Sequence, residues 1–169
     1  MASGRQYAVT WDAATAVTTA IDIFEILPAD DKPVFLEELT IWQTTDFGDA
    51  QDEVLQIQVI NGYTTSGSGG GSGTVGRLFP GDAAASFTAE CRNTSVATTG
   101  TAYIVHADGW NVRAPYIWTP LPGWEPFGSQ AAPLYVRLPV APVDSLTMGI
   151  TPAAIATYPS RASRPSSSE

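Results

Sequence analysis

Between Glu53 and Gly81 the chain reads EVLQIQVINGYTTSGSGGGSGTVGRLFPG, and this stretch constrains the fold more than any other. Leu55, Ile57 and Val59 alternate with Gln56 and Gln58, the period of a β-strand with one face in a core and one in water. The Ser/Gly run that follows neither nucleates a helix nor offers a side chain to a core. A well-patterned strand feeding a long, chemically blank loop points to a β-sandwich whose loops decorate its surface.

The rest of the chain repeats that grammar. Tyr7, Val9 and Trp11 alternate with polar or small neighbours and predict a first strand. Ala20–Leu27 predicts a second, and its apolar phase slips at Phe24, as a β-bulge there would require. Pro28-Ala29-Asp30-Asp31-Lys32-Pro33 is turn chemistry. Val34–Trp42 has helix and strand formers, but Phe35, Leu39 and Ile41 share one parity and Pro33 precedes them, so a strand is expected. PGDAAASF (80–87) reads as a turn and a short extended piece. Thr101–His106 and Trp110–Arg113 read as a hairpin around Ala107-Asp108-Gly109, because Asp-Gly tolerates the positive φ of such turns. Pro115–Pro133 carries five prolines with Trp118, Trp124 and Phe127, an ordered excursion whose aromatics need something to pack on. Strands at Leu134–Leu138 and Leu146–Ile150 complete the pattern.

The chain has 169 residues, enough to bury a core without disulfides or metals. Charged residues make up 15%, below the usual share of about a quarter, which suits a surface that meets other chains. Asp and Glu outnumber Lys and Arg by 17 to 8, which argues against nucleic acid and against an anionic membrane. Cys91 stands alone, so no disulfide framework is expected. No apolar h-region follows Arg5 and no apolar run reaches spanning length, so the expectation is a soluble protein made in a reducing cytosol.

The motifs that resemble chemistry have simpler readings. Gly71-Ser72-Gly73-Thr74-Val75-Gly76 matches the dinucleotide fingerprint, but Pro80 interrupts the helix that would receive the pyrophosphate. His106 is the only histidine, which excludes a two-histidine metal site, and no sequence feature links it to Ser95 or Cys91 as a nucleophile. Glu37–Glu38 and Asp52–Glu53 are neighbours on strands, so each pair should point to opposite faces, wrong for glycoside hydrolysis. Asp46, Asp49 and Asp52 in the acidic loop are the candidates for Ca²⁺, although their spacing is not that of an EF-hand and a solvated loop is the commoner outcome. Asn93-Thr94-Ser95 is a glycosylation sequon without a secretory signal. Trp110, Trp118 and Trp124 with Tyr116 are the residues for a sugar-stacking platform or a subunit interface.

The segments GRQYAVTWD, FEILPADDKPVFLEEL, GDAQDEVLQIQVINGYTTSGSGG, PGDAAA, NVRA and LYVRLPVAPVDSLTMGI together resemble small virion structural proteins of tailed bacteriophages, over roughly residues 4–150. The resemblance implies a particle component, either a head decoration (cement) protein or a small head–tail or tail protein, and carries over no catalytic residue.

The expectation is therefore an all-β, single-domain antiparallel β-sandwich, jelly-roll-like, with long Pro/Gly-rich loops over 1–159 and a polar tail at 160–169. It is expected to be a non-enzymatic virion protein, made in the host cytoplasm, that binds the major capsid protein without a cofactor. Arg5, Gln6, Tyr116, Trp118 and Trp124 are its candidate contacts. A closed homo-oligomer is expected, a trimer first, because shells offer three-fold positions. A carbohydrate-binding adhesin, or a tail or neck module, is the alternative.

Overall fold

The structure, a computed structural model, describes residues 5–11, 16–44 and 53–157, the last six (152–157) by backbone alone. The acidic loop with Asp46, Asp49 and Asp52, and the tail 160–169, lie outside the described residues.

Among the described residues there are twelve strands and no helix. One antiparallel sheet holds β1 (Arg5–Thr10), β3 (Val34–Gln43), β6 (Thr74–Arg77), β9 (Tyr116–Trp118), β10 (Phe127–Gly128) and β12 (Met148–Thr157). Its order is β10-β3-β12-β1-β6, with β9 also on β3. The other holds β2 (Ile21–Pro28), β4 (Val54–Thr65), β5 (Gly71–Ser72), β7 (Phe87–Asn93), β8 (Thr98–Asn111) and β11 (Leu134–Leu138), in the order β5-β7-β2-β11-β4-β8. The two sheets pack as an antiparallel β-sandwich, with Tyr7, Val9, Leu36, Ile57, Val136 and Ile150 in its continuous core. Burying each such aliphatic side chain stabilises the fold by on the order of 2 kcal/mol.

The strand expectations at the two ends and at 54–60 hold. Leu55, Ile57 and Val59 are buried, as are Leu134, Val136, Leu138, Leu146, Met148 and Ile150. In β2 the bulge falls at Ile23: Phe24 pairs with Val136 and Asp22 with Arg137, so Ile23 is the extra residue. That is one position before the expected Phe24, and it explains the phase slip, since Ile21, Ile23, Phe24 and Ile26 all reach the core.

Four expectations need correction. In β3 Leu36 and Leu39 both face the core while Phe35 is only half-buried, because the register with β12 skips Glu37. Phe35 therefore shares the parity of Leu39 and Ile41 but not their face, and Glu37 and Glu38 fall together between two inward residues, Leu36 and Leu39. Ala107-Asp108-Gly109 is not a turn: β8 runs unbroken from Thr98 to Asn111, its partner β4 giving Asp108 and Gly109 ladder positions opposite Ile57 and Gln56. The segment after PGDAAAS becomes a full strand, β7, with Phe87, Ala89 and Cys91 in the core.

The glycine run is the fourth. It is not a blank loop but lies along β7, where Gly71 pairs with Cys91 and Ser72 with Glu90, and Ser68 bridges to Ser95. A Cβ at Gly70 would overlap the Cys91 carbonyl oxygen, so this backbone approach requires glycine.

Candidate docking surface

The Pro-rich excursion occupies one edge of the sandwich, and strand parity sorts its aromatics. β9 pairs with β3 through Leu39–Trp118, Thr40–Ile117 and Ile41–Tyr116. Tyr116 and Trp118 therefore turn toward the other sheet, and Ile117 turns out, 64% exposed. Across the gap His106 on β8 meets both: its ring stacks on Trp118 with centroids 4.0 Å apart, and its Nε2 lies 2.8 Å from the Tyr116 hydroxyl. These three side chains clasp the two sheets at their edge.

The clasp is neutral. Burial lowers the His106 pKa, against a weaker pull from Asp108 in the other direction. Burial pushes the Tyr116 phenol up to about 12, with Asp108 adding to the rise. Trp110 is fully enclosed and donates its indole N–H to the Ala114 carbonyl at 2.8 Å. Trp110, Trp118, Trp124 and Tyr116 therefore do not assemble into one open platform: Trp110 is core, Tyr116 is buried, and one face of Trp118 is covered by His106.

Trp124 is different. It is 80% exposed, the most open large apolar side chain among the described residues, and Leu121 is 72% exposed. The two sit at the first and last positions of one β-turn, closed by the Trp124 N–H donating to the Leu121 carbonyl at 2.8 Å. Pro122 fixes the second position, and Gly123 supplies the positive φ, +86°, that the third position needs. The Glu125 carboxylate accepts the Gly123 N–H at 2.9 Å. Buried Pro120 and Pro126 anchor the turn on both sides, and Pro126 O accepts the Leu36 N–H of β3 at 3.0 Å. The sequence expectation that the excursion's aromatics find packing partners is thus met for Trp118 and not for Trp124. The result is a rigid apolar knob on a fixed base. Leu121 escaped the sequence reading, although Leu-Pro-Gly-Trp carries both the turn signal and its two apolar flanks.

Of the N-terminal candidates, Gln6 meets β3 at Glu37, one residue along from that base. Arg5 is exposed at the start of β1, and Gln6 donates from Nε2 to Glu37 Oε2 at 3.0 Å. The structure thus links Gln6 to the excursion through Glu37 and Leu36, and leaves Arg5 open.

The outer face of the second sheet carries a polar network that sequence reading missed. The Ile23 bulge puts Asp22 and Glu25, three apart, on one face, and both are fully buried. Arg137 grips Asp22 with two bonds, Nε to Oδ1 at 2.6 Å and Nη2 to Oδ2 at 3.1 Å, and also donates to the Ala97 carbonyl and the Tyr63 hydroxyl. Glu25 accepts from Asn93 Nδ2 at 2.9 Å and from the Gly67 N–H at 3.1 Å. Its pKa is raised, chiefly by burial, with Glu90 and Asp22 adding and bonds from Ser66 and Gly67 opposing. Tyr135 pairs with Glu25 across the strands, and its phenol is pushed up by burial first and then by the charge of, and a hydrogen bond to, the Glu25 carboxylate. The network ties the glycine segment onto the sheet. Asn93, the acceptor of the sequon, is buried and engaged with Glu25 and Glu90, whereas Thr94 and Ser95 are exposed.

The nucleophile candidates are likewise structural. Burial, with help from Glu90, pushes the Cys91 thiol up to about 12, far from a reactive thiolate. Ser95 holds the Ser68 bridge, while His106 Nε2 faces a phenol. No group of three or more metal-ligating side chains occurs among the described residues. Among them no helix is long and apolar enough to cross a membrane.

Comparison with protein-family models, with curated proteins and with solved structures gives no match to this chain.

Proposed function

We propose that this protein is a non-enzymatic virion structural component of a tailed bacteriophage, a head decoration protein that stabilises the capsid by binding the major capsid protein. The observation that carries the reading is the Leu121–Trp124 knob: two largely exposed apolar side chains held by a proline-anchored turn on the sandwich. Interface hot spots are enriched in tryptophan, and a pre-ordered anchor binds without the entropy of ordering a loop. The likeness of the sequence to small phage virion proteins supplies the partner, and the jelly-roll-like character of the sandwich belongs to the same reading. A modest contact suffices when it is repeated over a symmetric shell.

Immunogold labelling of intact particles with an antibody to this chain tests the assignment. Gold spread over the heads supports decoration. Gold at one pole or along the tail moves the protein to a neck or tail role, and no gold on accessible particles overturns a surface role on the virion.

The open indole of Trp124 favours one rival, an adhesin that stacks this ring on a sugar. Glycan-array binding lost in Trp124→Ser would establish that reading, and an unreactive array would remove it.

A further inference from the structure

Residues 66–73 carry the chain from one sheet to the other: Thr65 pairs with Thr98 of β8, and Thr74 with Thr10 of β1. The segment is built only of serine and glycine and none of it is buried, so no apolar side chain holds it down. Polar contacts do that instead. Ser68 and Ser95 exchange backbone hydrogen bonds of 2.9 and 3.0 Å, Gly71 and Ser72 pair with Cys91 and Glu90, and the Gly73 N–H donates to the Ala89 carbonyl at 2.9 Å. At the start of the segment the Gly67 N–H and the Ser66 side chain both bond the Glu25 carboxylate. A segment at the edge of a sheet with no buried apolar contact opens at a small fraction of the free energy that unfolds the domain.

Of the side chains that bond this segment, Glu25 is the one that titrates. Around it stand Asp22 on its own strand, Tyr135 and Arg137 on β11, and Glu90 and Asn93 on β7. Tyr63 of β4 bonds Arg137. The Arg137 guanidinium is committed to Asp22, and burial pushes the Tyr135 phenol up, so it stays neutral. The Asn93 amide is divided between Glu25 at 2.9 Å and Glu90 at 3.1 Å, which holds two carboxylates close together. An ionised Glu25 beneath the closed segment therefore lacks both water and a cation of its own. Lifting the segment returns water to it.

The same segment covers the chain's one thiol. Cys91 is 1% exposed, and Gly73 lies so close to it that a Cβ there would come within 2.9 Å of Sγ. A reagent reaches Cys91 when the segment lifts or when the whole domain unfolds, and the two routes differ in how much surface they expose.

We infer that residues 66–73 form a pH-governed strap, which closes tightly over β7 when Glu25 is protonated and opens locally when Glu25 is ionised, the sandwich staying folded. The closed strap holds the Glu25 proton above the ordinary 4.5, so closure is fully favoured below 4.5 and weakens as pH rises through the raised value. Above that value the degree of opening stays constant. The strap is separate from the knob and does not depend on the docking reading.

The rate at which 4,4′-dithiodipyridine labels Cys91 in the full chain, divided by the rate for the urea-unfolded chain at the same pH, measures opening and cancels the reagent's own pH dependence. The ratio should climb from pH 4.5 toward neutral by about tenfold for each pH unit that the closed strap adds to the Glu25 pKa, then level off. It should stay flat in Glu25→Gln. Low urea concentrations should hardly change it, because a lifted strap exposes little surface. Loss of the His106 clasp would raise labelling in acid, the opposite direction. Gly70→Ala, whose Cβ would overlap the Cys91 carbonyl oxygen, should label faster than the parent at every pH with an unchanged melting temperature. A flat parent ratio, a rise that persists in Glu25→Gln, labelling as urea-sensitive as global unfolding, or Gly70→Ala no faster than the parent would each overturn the inference.

Discussion

His106 lies flat on Trp118, ring planes 14° apart, and the same imidazole reaches the Tyr116 hydroxyl from the opposite sheet. One strand of each layer is thereby fastened at the edge where the excursion begins. Trp118→Ala should cost on the order of 2 kcal/mol, combining lost burial with the lost stack, read as a lowered midpoint in chemical denaturation. A midpoint equal to the parent's would mean the clasp contributes nothing.

Because burial lowers the His106 pKa, the fold favours its neutral form. Its contribution is present above the ordinary value of 6.5 and is lost as pH falls through 6.5 toward the lowered value. Thermal melts of the parent should therefore lose stability over that interval relative to His106→Gln, in which the loss should vanish.

Glu25 works in the other direction. Its raised pKa means the buried carboxylate penalises the fold above that raised value, and the penalty fades as pH falls toward 4.5. Glu25→Gln should be as stable as the parent or more so at neutral pH, and its melting temperature should vary less with pH. The new amide can also keep a hydrogen bond with the neighbouring Tyr135 hydroxyl. A strongly destabilised variant would show that the carboxylate is a net contributor after all.

Arg137→Met leaves Asp22 fully buried without its partner, which should cost about 3–5 kcal/mol. The double substitution Asp22→Leu with Arg137→Met should recover part of that loss in urea unfolding. If the double variant were no better than the single, the loss would be one of packing and not of an orphaned charge.

The alternating strands were legible because each lies on a half-buried sheet face: Leu55, Ile57 and Val59 announce their register without help. What stayed hidden depends on long-range pairing. Nothing local distinguishes Ala107-Asp108-Gly109 in a turn from the same residues in a ladder, and only pairing with β4 decides it. The glycine run looked blank because its role is to be thin enough to lie against Cys91. Asp22, Glu25 and Arg137 are charges within apolar strands that the sequence reading did not single out, because their meeting needs the Ile23 bulge and, for Asp22, a partner more than a hundred positions along the chain. The excursion was recognised as ordered, while the division of its aromatics into clasp and knob follows from the parity of β9, which sequence alone does not set.

The docking account is tested most directly by adding purified protein to phage heads that lack it and measuring co-sedimentation, with Trp124→Ser and Leu121→Ser in parallel. Both side chains are exposed, so each substitution should change stability by no more than about 0.5 kcal/mol. The account predicts saturable binding of the parent to heads and loss of that binding in both variants. Parent and variants bound equally, or a parent that does not bind, would contradict it.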